Sequence, residues 1–172
     1  MMYWVANEAM PIAEDLIRQH HTHLASAKIG YLFREKAAKR GGKVVLGTAS
    51  KFPSKYQAFF DQAKAGMTTD PDHEDYIFLI ELAWDQWQLL PDVKRRALLD
   101  HELSHCWGEE AEEAEKAPDP VDGQKQTVEG KGGEMKWSIL YHDFEEFGDV
   151  IRRNGLWRDE LVDAKRIFAN AT

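Results

Sequence analysis

The sequence predicts an α+β domain: an N-terminal helix, a mostly antiparallel sheet of three to five strands, and two further helices toward the C-terminus. Three observations predict it. Ile12, Leu16, Ile17 and Leu24 recur at helical spacing from Pro11 to about Ser26. Runs that alternate, or are apolar throughout, at 28–34, 43–49, 75–82 and 134–141 have strand character. Between the last two runs lies a helical stretch that contains His101-Glu102-Leu103-Ser104-His105, an H-E-x-x-H motif.

The N-terminal helix has Pro11 in its first turn, where a missing N–H costs nothing, and ends in His20, His21 and His23. His20 and His23 are three apart and could share a metal, but the expectation is that they decorate the end of an amphipathic helix. Ile29, Tyr31 and Phe33 alternate in the first strand, and Val44, Val45, Leu46 and Thr48 form a second after the Lys39-Arg40-Gly41-Gly42 turn. The two are expected to pair as a hairpin or to lie side by side. The stretch 51–65 is ambiguous, with Tyr56, Phe59 and Phe60 suggesting a short helix. Tyr76 to Ile80 is apolar on both faces, which suits a strand packed between layers, and Glu81 reads as its exit to solvent. Trp84, Trp87, Leu89 and Leu90 then mark a short helical core segment ending at Pro91.

Asp92 is placed to cap a helix over 93–107, and Gly108 to stop it. Leu99, Leu103 and Cys106 form its apolar stripe, with His101 and His105 offset from it. Residues 109–133 are rich in Glu, Pro, Gly and Lys and lack periodicity, so they read as an insertion or lid, with a hairpin over 124–140. From His142 the register turns helical, with Phe144, Phe147 and Ile151 on one side. Asn154-Gly155 ends that helix, Leu156-Trp157 tucks back into the core, and 159–169 forms a last helix. The whole chain, 1–172, is expected to be one domain.

Composition narrows the function. Hydrophobic residues make up 43% and charged residues 30%, which suits a globular protein rather than a disordered one. The net charge of −8 counts against nucleic acid as the main partner, despite a basic cluster at Arg34, Lys36, Lys39, Arg40 and Lys43. A single cysteine excludes an internal disulfide and suits a reducing compartment. With no signal-like N-terminus and no apolar run of spanning length, the expected location is the cytoplasm, away from membranes.

Residues four apart on a helix share a face, so His101 and His105 can present their imidazoles to one ion. Glu102, one step round, can hold a water beside that ion without ligating it. A catalytic zinc takes three protein ligands and keeps a position for water. The third is expected to be His142, at the strand-to-helix junction; Glu145 and Glu146 are alternatives, then Asp143. Cys106 could be offered as an extra ligand, but its direction round the helix suits a buried small hydrophobe better. Tyr141 is next to the third-ligand candidate and could reach an oxyanion, although an ordinary core role is expected.

Asp100-His101-Glu102-Leu103-Ser104-His105-Cys106-Trp107, together with His142-Asp143-Phe144-Glu145-Glu146-Phe147 and Gly155-Leu156-Trp157, resembles the SprT-like zinc metallopeptidases. It resembles more closely the small metallopeptidases of phages and prophages, and the order of elements agrees from about residue 10 to 160. The resemblance implies a zincin-like fold with Zn²⁺ on His101, His105 and His142, and Glu102 as general base. It implies a protein or peptide substrate, expected to lie extended along the strand 75–82, and the host cytoplasm if the protein is phage-encoded. Two departures limit it. Asp143-Phe144 follows the third His where SprT-like proteins commonly have Gly and then an aromatic. There are also no cysteines for a zinc ribbon and no DNA-binding tail, so a DNA-coupled role is not carried over. The competing reading is a zinc-binding phage protein without peptidase activity that acts by binding a host partner.

Overall fold

A computed structural model describes residues 1–54, 76–110, 128–129, 135–141, 147–159, 161–162 and 165. In chain order these form β1 (Tyr3–Val5), α1 (Met10–His20), a 3₁₀ turn (Thr22–Leu24), β2 (Ile29–Arg34), β3 (Ala38–Arg40), β4 (Lys43–Val45), β5 (Gly47–Lys51) and β6 (Phe78–Ala83). There follow α2 (Trp84–Trp87), α3 (Asp92–His105), β7 (Cys106–Glu110), β8 (Val128–Glu129), β9 (Met135–Ile139) and α4 (Gly148–Asn154). The α+β class holds.

The main sheet has the order β1-β2-β6-β5. Its outer pairs are antiparallel and β2 runs parallel to β6. The expected pairing of 28–34 with 43–49 is therefore corrected, because β6 lies between them. The Gly41-Gly42 turn instead closes a small β3–β4 hairpin. Both glycines there have positive φ, 57° and 82°, as the two-residue hairpin turn that matches strand twist requires.

β6 is the centre of the sheet. Its backbone is paired by β2 on one side and β5 on the other, so it has no edge to offer a peptide. The expectation that a substrate lies along 75–82 fails for that reason, and Asp75 falls outside the described residues. Glu81 is not an exit either. It pairs in mid-strand with Leu32 and Thr48, half-buried on the outer face. The other face carries Phe78, Ile80 and Leu82, all fully buried with Tyr31 and Phe33. Gly47, registered with Leu82 on that face, abuts Glu102, which shows that α3 packs there. Trp87 is core as expected and packs against Phe33 with tilted rings 5.6 Å apart.

α3 begins after Pro91, whose extended backbone places its carbonyl to accept the N–H groups of Lys94 and Arg95 at 2.9 and 3.0 Å. Asp92 is thus the first helical residue rather than the cap. The helix stops at His105, not at 107, and Cys106 enters β7 directly with extended φ and ψ. Gly108 is consequently no helix stop. It sits in β7 opposite Trp137, whose indole lies where a Gly108 side chain would be. Glu109 and Glu110, the first two residues of the expected insertion at 109–133, belong to this strand. Val128 and Glu129 pair with Trp137 and Lys136, in the place expected for the hairpin over 124–140. The rest of that stretch, together with 55–75 and most of the last helix, lies outside the described residues. No described helix is long and apolar enough to cross a membrane.

Candidate metal centre

Residues Ala97 to Leu103 of α3 are all buried, the polar Asp100, His101 and Glu102 among them. Burial of three such neighbours is costly unless each has a task or a partner. The two histidines project together: their rings lie 5.0 Å apart, edge to face. Phe147, the extended residue just before α4, packs against both, at 4.8 Å from His105 and 5.7 Å from His101, and Trp157 lies 6.1 Å from His101.

His105 is fixed twice by one residue. Its Nδ1 donates to the Leu140 carbonyl at 2.7 Å, and its own carbonyl accepts the Leu140 N–H at 2.7 Å. A carbonyl can only accept, so the ring proton is on Nδ1 and the lone pair on Nε2. This is the usual outer hydrogen bond of a metal-ligating histidine, which sets tautomer and ring direction.

Glu102 points at β5. A Cβ built on Gly47 would lie 2.8 Å from the Glu102 Cδ and 3.0 Å from its Cγ, so only glycine leaves the carboxylate room there. The carboxylate is 3% exposed at the residue level, in a setting that strengthens its interaction with a nearby cation or proton.

The third-ligand candidates His142, Asp143, Glu145 and Glu146 lie outside the described residues. The chain on either side of them is described, and both sides touch the histidines, through Leu140 and Phe147. Among the described residues, no three His, Cys, Asp or Glu side chains gather as a complete metal set. The donors that α3 does present fit a zinc ion in kind: imidazole nitrogens oriented by a carbonyl, with a carboxylate alongside.

The other candidates sort out by burial. Cys106 is fully buried, and burial pushes its thiol well up, so it behaves as the small hydrophobe expected. Tyr141 is 59% exposed, which overturns its expected core role. His20 is exposed, while His23 lies 3.2 Å from the Cys106 carbonyl with its ring 4.6 Å from Trp107, so the two do not form a pair. His21, which sequence reasoning did not single out, is buried with its Nε2 2.7 Å from the Asp100 carboxylate.

Asp100 is 1% exposed and accepts four side-chain hydrogen bonds. Oδ1 takes His21 Nε2 at 2.7 Å and Arg153 Nη2 at 2.7 Å; Oδ2 takes Arg153 Nε at 3.0 Å and Asn154 Nδ2 at 2.6 Å. Burial by itself would raise this carboxyl. The bonds from His21, Arg153 and Asn154, with the guanidinium charge, outweigh it and hold the carboxyl well below the usual range. The sequence signal was available in part: an Asp directly before H-E-x-x-H lies on a helix face away from the metal ligands.

Two imidazoles and a carboxylate on one helix, beside a mixed sheet, are the kinds of group a metal-dependent hydrolase uses. The chain belongs to the family described as "putative phage metallopeptidase", whose model matches residues 1–166. No curated protein and no solved structure matches the chain.

Proposed function

We propose that this metallopeptidase is zinc-dependent, of the SprT-like zincin type, and hydrolyses peptide bonds with Glu102 as general base. The observation that carries the reading is the placement of His101 and His105 side by side, with His105 locked to Leu140 through Nδ1, while Glu102 fills the space left by Gly47. His101, His105 through Nε2, and His142 would hold the ion. Zinc in such a site lowers the pKa of a water to about 7 and polarises a carbonyl. Glu102 takes the proton from the attacking water and returns it to the leaving amine.

An extended peptide would pair with β5 rather than β6. Gly47 begins β5 next to Glu102, and the outer edge of β5 has no paired strand among the described residues. Backbone pairing there would bring a peptide carbonyl past the histidines in a single register. A recess of about 180 Å³, lined by Val44, Leu46, Lys94, Trp157, Arg158 and Asp159, adjoins this end of β5 and shares Trp157 with His101. It has room for a side chain, since a benzene ring fits a cavity of about 150 Å³.

The test is Glu102→Gln assayed on denatured protein substrates beside wild type. Zinc should be retained and hydrolysis lost; survival of activity would rule out Glu102 as the base. Stoichiometric zinc with no hydrolysis by either protein would favour the host-partner binding role instead.

A further inference from the structure

We propose that Asp100 is a positioning residue for the metal centre, holding α4 against α3 so that Phe147 stays packed on the two imidazoles and fixes their direction. The inference rests on the zinc reading above.

Asp100 is one residue before His101, yet every group bound to its carboxylate comes from another element. His21 follows α1; Arg153 and Asn154 form the last turn of α4. Arg153 engages both carboxylate oxygens, a two-pronged contact that fixes direction as well as distance. Asn154 Nδ2 also donates to the Val150 carbonyl at 3.1 Å, so the amide that grips Asp100 is tied to its own helix.

α4 is a seven-residue rod, about 10 Å long at 1.5 Å per residue. Its far end is pinned to Asp100, and Phe147, which caps its near end, rests on His101 and His105. Gly155, with φ of 67°, closes the helix immediately after the pinned turn, so the rod cannot extend to take up slack. On the other side, Leu140 is clamped to His105 by two hydrogen bonds. The described chain is therefore held to α3 at two places, by Leu140 on His105 and by Arg153 and Asn154 on Asp100.

A different contact supplies the contrast. Asp15 of α1 accepts a hydrogen bond from Arg96 of α3 at 2.8 Å, which also ties two helices together, here α1 and α3. If Asp100 only adds stability, loss of either tie should act alike on the metal.

The experiment is zinc affinity by chelator competition, with the visible spectrum of the cobalt-substituted protein, for wild type, Asp100→Asn, Arg153→Gln and Asp15→Asn. All are measured below their unfolding transitions. Asp100→Asn keeps the shape but sets an amide against Arg153 and Asn154. It should weaken zinc by about 10–100-fold, the scale found for outer partners of metal ligands, and alter the cobalt spectrum. Arg153→Gln, from a partly exposed side chain, should act in the same direction and stands in if Asp100→Asn does not fold. Asp15→Asn should leave both readouts at wild-type values. Wild-type affinity and spectrum in the folded Asp100 or Arg153 variant would overturn the proposal, as would an equal loss in Asp15→Asn. Failure of wild type itself to bind zinc, or undiminished binding in His101→Ala, would overturn the zinc reading instead.

Discussion

Asp100 and Glu102 are two carboxylates on one turn of one helix, almost equally buried, at 1% and 3% exposure. Asp100 is closed on all sides by protein donors from α1's end and α4. Glu102 is aimed at a glycine in β5, where a larger residue would displace it. The difference separates a carboxylate that ties elements together from one that the proposed mechanism uses, within two residues. A carboxylate saturated by charged and neutral donors is held below its ordinary pKa range and contributes to folding. One kept in a buried space shaped by a missing side chain, on the helix that carries the two imidazoles, is the residue to which the proposed mechanism gives the proton.

That contrast is open to attack by mutation. The largest expected effect is Glu102→Gln, which should lower kcat by about 10²–10⁴-fold, the usual share of a general base, with unfolding temperature close to wild type. Asp100→Ala should act on stability as well as on the zinc affinity that Asp100 is proposed to support. Removing one partner of a buried ion pair costs about 3–5 kcal/mol, and urea unfolding should show that loss. If the two variants lose stability equally, the division of labour is wrong. Gly47→Ala sharpens the point, since it leaves every ligand in place and pushes on Glu102 alone. It should depress kcat with little change in zinc affinity, measured by steady-state kinetics and chelator competition. Gly108→Ala is a control away from Glu102. It forces the Trp137 ring off β7 and should cost about 1–3 kcal/mol of stability as overpacking.

Much of the site was legible because helical periodicity and metal chemistry share a spacing. His101 and His105 had to fall on one face once α3 was a helix, and Leu99, Leu103 and Cys106 are buried as their spacing implied. The end of α3 was not legible. Cys106-Trp107-Gly108 continues a helical pattern in one dimension, but pairing with β9 draws it into a strand, and Gly108 is there to admit Trp137. The strand order was hidden for a similar reason: β2 and β5 are close in sequence, but β6 comes from far along the chain and lies between them. A long-range insertion of that sort leaves no local mark. Nor does the Asp100 cluster, whose donors come from positions 21, 153 and 154 and meet only after folding.

The central claim is that α3 holds a zinc completed from the chain just before α4. X-ray absorption at the zinc edge, on wild type and on His142→Ala, tests it most directly. The account predicts one zinc per chain with three imidazole nitrogens and one exchangeable oxygen donor, reduced to two imidazoles in the variant. Absence of stoichiometric zinc, or an unchanged three-imidazole shell after His142→Ala, would contradict it.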